Sequence, residues 1–336
     1  MTRLGSLARN SFLVLGRAGM DLYADPPGTR AEAATRFFAC LGGSAGNIAA
    51  GIARQGTRAA LLGAVSDDAV GRFTRNALHS FGVDTRHVAT VGGQLRNSLA
   101  VVETRLEDTQ SVIYRNGAAD FALDAAQVEE VDWQTCGALI VTGTALSADP
   151  PRGAGFAAIE RAREAGVCVI LDVDYRPYSW SSDSEAAAVY GRAAALCDVV
   201  IGNDDEFGIM AGQREGGLSL ARALAQADTE IVIYKMGAEG SVTFASGRSF
   251  QTGIFHVQAL KPTGAGDAFM AGFVCALADG MPLEACVRRG SAAAAIVVGR
   301  VGCAPAMPTQ AELAAFLSSH PDGPSNKETA HAHPAL

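Results

Sequence analysis

The chain has 336 residues, of which 49% are apolar, and its formal net charge is −8. The length allows a large buried core, and the negative charge without a dense Lys/Arg cluster argues against nucleic-acid binding. We see neither a signal peptide nor a membrane-spanning run, and the seven cysteines include no C-x-x-C pair, so we expect a cytoplasmic protein with free thiols and no membrane partner.

Short β-rich runs alternate along the chain with Ala-rich amphipathic segments. This alternation predicts an α/β fold, with a central, mostly parallel sheet and helices on both of its faces. The predicted strands are 11–16, 59–65, 138–143, 167–174, 198–203 and 230–235. The predicted helices are 45–54, 69–81, 151–165, 184–196 and 264–279.

Two stretches, about 20–38 and 94–116, break this alternation because they are extended and half polar. We expect them to pair into a small β-sheet that stands off the main sheet as a lid. The principal domain is then 11–318. Residues 319–336 are polar and contain several prolines, which predicts a disordered tail.

The first glycine cluster, LGGSAGN at 41–47, fits several kinds of site. Gly42-x-Ser44-x-Gly46 matches the nucleophile elbow of serine hydrolases. A glycine run before a helix is also typical of a dinucleotide or phosphate loop. It could instead approach a small polyol substrate, or be a tight turn without a ligand. The cluster alone does not decide between these alternatives.

The second cluster, KPTGAGDAF at 261–269, opens a predicted helix. The amides of Gly264, Ala265 and Gly266 would lie at the helix N-terminus, where donors and the helix dipole favour an anion. Asp267 follows in the first turn. A carboxylate beside an anion site suits a base that takes a proton from an attacking hydroxyl. The simpler alternative is a helix N-terminal Asp with no chemical role.

Together these motifs resemble the two signatures of the ribokinase-like (PfkB) carbohydrate kinases, over roughly residues 11–318. The kinase P-loop G-x-x-x-x-G-K-[ST] is absent, so ATP chemistry needs another scaffold. The resemblance rests on GGSAGN, GAGD, G-x-V-x-D-D-x-x-G at 63–71, N-x-x-E at 203–206 and K-x-G-x-x-G at 235–240. It implies a ribokinase-like fold in which Asp267 is the general base, and Gly264, Ala265 and Gly266 hold the transferred phosphoryl group.

The same resemblance implies ATP and Mg²⁺ as cofactors. Asn203 and Glu206 would place Mg²⁺ through water, although N-x-x-E spacing also fits a helix capping box. The nucleotide side would be formed by Asn203, Lys235, Gly237, Gly240 and Ser291, the last at the start of a helix 291–299. Sugar hydroxyls would be bound by Asp21, Gly42, Gly43 and Asn47.

Two arginines indicate an acidic sugar. Arg115 ends the lid-like stretch and Arg176 follows a strand, and guanidinium groups bind carboxylates in a fork. The alternative is that each arginine pairs with a nearby aspartate, Asp120 or Asp174. Y-R followed by D-x-[ND]-x-R resembles the sugar-acid branch of the family. We therefore expect an ATP-dependent sugar-acid kinase that phosphorylates a primary hydroxyl.

Other functions remain open at this point: a kinase of 2-keto-3-deoxygluconate or of a neutral sugar such as fructose, a non-catalytic sugar sensor, or a serine hydrolase that uses Ser44. Lys261 stands where the family usually has an Asp that helps to build a monovalent-cation site. The resemblance thus suggests that its ammonium replaces that cation. As partners we expect a small-molecule substrate and a second copy of the chain bound through the lid.

Overall fold

A computed structural model describes residues 2–325, which form a large sheet and a smaller one. The strands of the large sheet are β1 Ser11–Leu15, β4 Arg58–Ser66, β5 Val88–Val91, β8 Ala138–Thr142, β9 Cys168–Asp172, β10 Val199–Asn203, β11 Ile231–Lys235, β12 Ser241–Ala245 and β13 Arg248–Thr252. Their order is β13-β12-β11-β10-β9-β8-β1-β4-β5. All neighbours from β11 to β5 pair in parallel, and only β12 and β13 are antiparallel.

The smaller sheet is built from the two stretches that break the βα alternation. Its strands are β2 Gly19–Asp25, β3 Arg36–Gly42, β6 Leu99–Val102 and β7 Ser111–Tyr114, in the order β3-β2-β6-β7. The two outer pairs are antiparallel, while β2 and β6 are parallel. The predicted small sheet is therefore confirmed, with β3 running on into the first glycine cluster.

Helices cover both faces of the large sheet. They are α1 Ser44–Arg54, α2 Ala69–Ser80, α3 Ala125–Glu129, α4 Pro151–Glu164, α5 Asp183–Ala194, α6 Asp204–Met210, α7 Gly217–Gln226, α8 Ala265–Ala278, α9 Leu283–Val298 and α10 Gln310–Ser319. Phe12 and Val14 of β1 enter the core that contains α1 and α8, and Leu13 and Leu15 enter the opposite core with α4 and α5. No helix within residues 2–325 is long and apolar enough to cross a membrane.

Some elements differ from the predictions. Helix α9 begins at Leu283 and not at 291. Leu283, Cys286 and Val287 have the i, i+3, i+4 spacing of an amphipathic helix, so the sequence carried a signal for the earlier start. Strands β5 and β13 are short and partly exposed, so their apolar periodicity is weak. Strand β12 is buried but has only five residues. At the predicted tail, Ser325 pairs with Ile254, so residues 319–325 are placed against the domain. Residues 326–336 lie outside the described part of the chain.

The parallel strands all end on one side of the large sheet. In open α/β sheets, ligands bind beyond the carboxyl ends of the strands. Here β9, β10 and β11 end at Asp172, Asn203 and Lys235, and Arg17 follows β1 by two residues. The topology thus collects charged side chains from distant parts of the sequence at one edge, beneath the small sheet.

Candidate active site

A cavity of about 410 Å³ lies at this edge. Its floor is made by the ends of the parallel strands and by the N-termini of α1 and α8. Its roof includes Ala100, Val102, Ser111 and Ile113 of the small sheet. The lining therefore comes from both sheets and from both glycine clusters.

The second glycine cluster forms the N-terminus of α8. Gly264 is the N-cap residue and has a φ of +86°, a conformation that glycine adopts without strain. A Cβ there would lie 2.6 Å from Cys303 Sγ, so space also requires glycine. The first amides of a helix have no intrahelical acceptor, and Gly264 and Gly266 line the cavity beside Asp267. This loop can therefore present N–H donors to an anion.

Asp267 is held next to the first glycine cluster. Its Oδ2 accepts a hydrogen bond of 2.8 Å from Asn47 Nδ2 in α1. Burial raises the pKa of Asp267 to about 7, the Asp174 carboxylate acts in the same direction, and the Asn47 hydrogen bond acts against it. A carboxyl group with a pKa near neutral is suited to take up a proton at physiological pH.

The first glycine cluster packs against Asp21 of β2. A Cβ at Gly42 would lie 1.9 Å from Asp21 Oδ1, so only glycine permits this approach. Asp21 is buried, and burial raises its pKa to about 6, against the charges of Arg17 and Lys261. Asp21 Oδ1 and Asn47 Oδ1 have no hydrogen-bond partner within the described chain. Both residues line the cavity, and a donor for either buried oxygen has to come from outside the described chain.

Four carboxyl groups, those of Asp172, Asp174, Glu206 and Asp267, line one side of the cavity together with Lys235. The pKa of Asp172 is raised well above its ordinary value, mainly by burial and also by the three other carboxylates, while Lys235 acts against this. Such an excess of buried negative charge favours the approach of a cation.

Asn203 and Glu206 form the capping box of α6. The Asn203 side chain accepts from the Glu206 amide at 2.8 Å, and Glu206 Oε2 accepts from the Asn203 amide at 2.6 Å. Glu206 Oε1 accepts from the Tyr175 amide at 3.2 Å. Within residues 2–325 no three acidic, His or Cys side chains are grouped to hold a metal by themselves. The donor set fits a divalent ion that keeps several waters and phosphate ligands, as Mg²⁺ does.

Both arginines that the sequence singled out line the cavity, and both are paired. Arg115 donates from Nε and Nη2 to Asp120 Oδ2 at 2.8 and 2.6 Å, and from Nη1 and Nη2 to the Thr144 carbonyl at 3.1 Å. Arg176 Nη2 lies 2.9 Å from Asp174 Oδ1. The structure thus combines the two alternatives, because each arginine pairs with its predicted aspartate and also faces the cavity.

Comparison with known proteins decides the general function. Residues 9–310 match the pfkB family of carbohydrate kinases. The chain belongs to the pfkB family. It is a carbohydrate kinase that uses ATP and a divalent metal ion, as the resemblance of its two glycine signatures to this family implied.

Curated relatives cover nearly all of this kinase. It is 42% identical to a 5-dehydro-2-deoxygluconokinase of Photobacterium profundum, over 91% of this chain and 94% of the relative. It is 37% identical to a 5-dehydro-2-deoxygluconokinase of Geobacillus kaustophilus, over 93% and 95%. A fructokinase from Vibrio cholerae, solved with fructose, ADP and a calcium ion, superposes with a TM-score of 0.80 at 27% identity, over 92% of this chain and 99% of that one.

The kinase assignment removes the hydrolase alternative for Ser44. Its hydroxyl donates a hydrogen bond to Asp174 Oδ2, which also accepts from Thr144 Oγ1 at 2.9 Å. No histidine lies among the cavity residues within 2–325. Ser44 therefore helps to hold Asp174 in place and has no base to activate it.

Lys261 of the kinase lies wholly inside the protein. Its ammonium donates to the Thr263 carbonyl, in the loop that leads to Gly264. Burial lowers the pKa of Lys261, and Cys303, Asp267, Cys40 and Asp21 act against it. The Lys261 ammonium thus holds the loop that precedes the N-terminus of α8.

Sequence reasoning and structure differ in which residues they bring to the cavity. Gly237 and Gly240 bound the turn between β11 and β12, and Ser291 lies in the middle of α9. These three do not line the cavity, and their roles toward the nucleotide stay predictions. Arg17 and Asp172 line it but were missed. Arg17 directly follows the predicted strand 11–16, and Asp172 lies near the end of the predicted strand 167–174, so their place at the carboxyl ends of predicted strands was the available signal.

Proposed function

We propose that this kinase phosphorylates the 6-hydroxyl of 5-dehydro-2-deoxy-D-gluconate in myo-inositol catabolism, with Mg²⁺ as the metal. The observation that carries the proposal is that one cavity contains both Asp267, whose pKa is raised to about 7, and three arginine side chains. The 5-dehydro-2-deoxygluconokinases of Photobacterium and Geobacillus, at 42% and 37% identity, support this substrate.

In the proposed reaction Asp267 takes the proton of the sugar hydroxyl, and the oxygen of that hydroxyl attacks the γ-phosphorus of ATP. The bond from that phosphorus to the β,γ-bridging oxygen breaks, and ADP leaves. The amides of Gly264, Ala265 and Gly266 donate to the phosphoryl oxygens, where negative charge is concentrated. Because these donors are fixed by the helix, they need little reorganisation during the reaction.

Bound Mg²⁺ would neutralise phosphate charge, and the proposed residues for it are Asn203 and Glu206, acting through water. Both Glu206 oxygens already accept backbone hydrogen bonds, which supports an indirect contact. Lys235 extends from the end of β11 toward Gly266, since a Cβ on that glycine would be 3.4 Å from Lys235 Nζ. Its ammonium is therefore suited to pair with a phosphate.

Sugar binding is proposed for Asp21, Gly42, Gly43 and Asn47. The unpartnered oxygens of Asp21 and Asn47 would accept from sugar hydroxyls. Arg115 and Arg176 contribute positive charge to the wall that faces the acid. Closure of the small sheet over the sugar would exclude water and so protect the phosphoryl group from hydrolysis.

We also propose a homodimer that forms through the small sheet. The face turned away from the cavity carries apolar residues on all four strands, whereas an outward face is usually polar. These residues are Met20, Leu22, Phe37, Leu99, Val101, Val112 and Tyr114. Phe37, Val112 and Tyr114 are exposed. A second copy buries such a patch by twofold symmetry, and Val112→Lys should convert the dimer to a monomer in light scattering.

The buried free cysteines, all seven among the described residues, support a reducing, cytoplasmic location.

An ADP-release screen tests the substrate. It should include 5-dehydro-2-deoxygluconate, 2-keto-3-deoxygluconate and fructose, the last because of the Vibrio fructokinase match. We expect the highest kcat/KM with the first. A higher value with fructose would reject the acid substrate and leave only the kinase assignment.

A further inference from the structure

Three guanidinium groups line the substrate end of the cavity, but they differ in how they are neutralised. Arg115 pairs with Asp120 through two nitrogens, and Arg176 pairs with Asp174. Arg17 makes no ion pair with any carboxylate in the described chain. Its guanidinium has one protein partner there, the Ser98 hydroxyl at 3.1 Å from Nη1.

Arg17 is buried nonetheless, with 8% of its surface exposed. A buried cation without a counterion is unfavourable, and a guanidinium has five N–H donors to satisfy. No nitrogen of Arg17 is among the buried polar atoms that lack a partner, so the remaining donors reach the open space of the cavity. Arg17 therefore lines the cavity with N–H donors that no group of the described chain uses.

The position of Arg17 is fixed by the first glycine cluster. Its carbonyl accepts from the Gly46 amide at 3.2 Å, so the residue is attached to the N-terminal turn of α1. Its side chain reaches Ser98, at the edge of the small sheet. The guanidinium therefore lies between the floor of the cavity and its roof, and is not on a mobile surface loop.

Arg17 and the base are attached to different parts of the cavity. The Arg17 guanidinium donates to Ser98 beside the small sheet, whereas the Asp267 carboxylate accepts from Asn47 in α1. Among the charges near Asp21 of the small sheet, that of Arg17 acts most against the rise of its pKa. In an aldonic acid the carboxylate and the primary hydroxyl are at opposite ends of the carbon chain. A sugar whose terminal hydroxyl is at Asp267 would place its carboxylate toward the opposite end of the cavity.

From this arrangement we infer that Arg17 is the residue that binds the substrate carboxylate directly, in a two-hydrogen-bond fork, and so determines the selectivity for sugar acids. The inference rests on the proposed sugar-acid substrate. Arg115, whose donors are used by Asp120 and Thr144, is then a positioning residue for the cavity wall. Arg176 retains its partner Asp174 while the substrate is bound.

The test compares an acid with a neutral molecule of the same size. The two substrates are 5-dehydro-2-deoxygluconate and its C1 carboxamide, and the measured quantity is the ratio of their kcat/KM values. Charge-assisted hydrogen bonds contribute about 1.5–3 kcal/mol each. Arg17→Gln should therefore lower the acid-to-amide ratio by about tenfold to a hundredfold and leave the KM for ATP unchanged.

Two further variants keep the result interpretable. Arg17→Lys keeps the charge but loses the fork, so it should fold and show a smaller loss of the ratio. Arg86→Gln, at an exposed arginine outside the cavity, should leave the ratio unchanged. Arg115→Gln should reduce turnover of acid and amide alike.

The outcomes separate this inference from the proposed function. If the wild type does not use the acid, the proposed substrate is rejected, and the role of Arg17 falls with it. If the wild type uses the acid but Arg17→Gln or Arg17→Lys lowers acid and amide turnover equally, the substrate stands and the role of Arg17 is overturned. A ratio that falls in Arg115→Gln and not in the Arg17 variants would also overturn it.

Discussion

Asn47 and Asp267 are 220 positions apart in the sequence, and the Asn47 side-chain amide donates a 2.8 Å hydrogen bond to the Asp267 carboxylate. This bond connects the first turn of α1 to the first turn of α8, and so connects the two glycine signatures of the kinase. It acts against the burial that raises the pKa of Asp267. Asn47 also keeps one buried carbonyl oxygen without a partner in the described chain, and we propose that a sugar hydroxyl donates to it.

Replacing Asn47 should therefore change both the sugar affinity and the pH profile. In Asn47→Ala the carboxylate loses a hydrogen bond that favours its charged form, so the pKa of Asp267 should rise. We expect a higher KM for the sugar and an acidic limb of kcat/KM that lies at higher pH than in the wild type. A limb displaced to lower pH would contradict this role.

Asp267→Asn should remove the proton acceptor and keep the shape of the site. Loss of a positioned base costs about 10²–10⁴-fold in rate, and we expect that loss in kcat, with the affinity for ATP retained in a calorimetric titration. Asp279→Asn, at the other end of the same helix, is the matched control and should keep wild-type kcat. Near-wild-type kcat in Asp267→Asn would reject the assignment as base.

The pH dependence follows from the direction of the same pKa shift. Activity needs the ionised carboxylate, so kcat/KM should fall as the pH is lowered through about 7. Folding raises this pKa above its unfolded value, so the group stabilises the fold below its unfolded pKa, and that stability is lost as the pH rises through about 7. We therefore expect kcat/KM to fall between pH 7 and pH 6 while the melting temperature does not fall. A parallel drop in melting temperature would indicate unfolding instead.

Lys261 should make the kinase independent of potassium. Its ammonium is buried and donates to the Thr263 carbonyl, in the loop that leads to Gly264, and we propose that it supplies there the positive charge that a bound cation would supply. Exchanging sodium for potassium at constant ionic strength should leave kcat unchanged. Lys261→Met should reduce kcat, because the loop loses this contact. A steep rise of the wild-type rate in potassium would show that Lys261 does not replace a cation.

The Arg115–Asp120 pair should stabilise the cavity wall. Both side chains are buried, and removal of one partner from such a pair costs about 3–5 kcal/mol of unfolding free energy. Asp120→Asn should approach that loss in urea unfolding. Glu129→Gln breaks an exposed pair with Arg161 and should cost about 0–1 kcal/mol. Equal effects of the two variants would mean that Asp120 contributes no more than a surface charge.

The sequence alone determined the fold class through local patterns, and it indicated the kinase chemistry through its resemblance to the two pfkB signatures. Buried parallel strands such as β1 and β9 are short apolar runs, and the glycines before α8 stand directly ahead of an apolar helical run. The partly exposed strand β13 lacks such a pattern, and the hairpin that it forms with β12 became visible only in the structure.

The tertiary structure decided which charges meet. Asp120 was a predicted partner of Arg115 because the two are close in sequence, but the Thr144 carbonyl that completes the pair is brought by the turn after β8. The free fork of Arg17 and the bond from Asn47 to Asp267 depend on packing between elements that are far apart in the chain. Local periodicity carries no record of such contacts, because they are set by how the two sheets and their helices pack together.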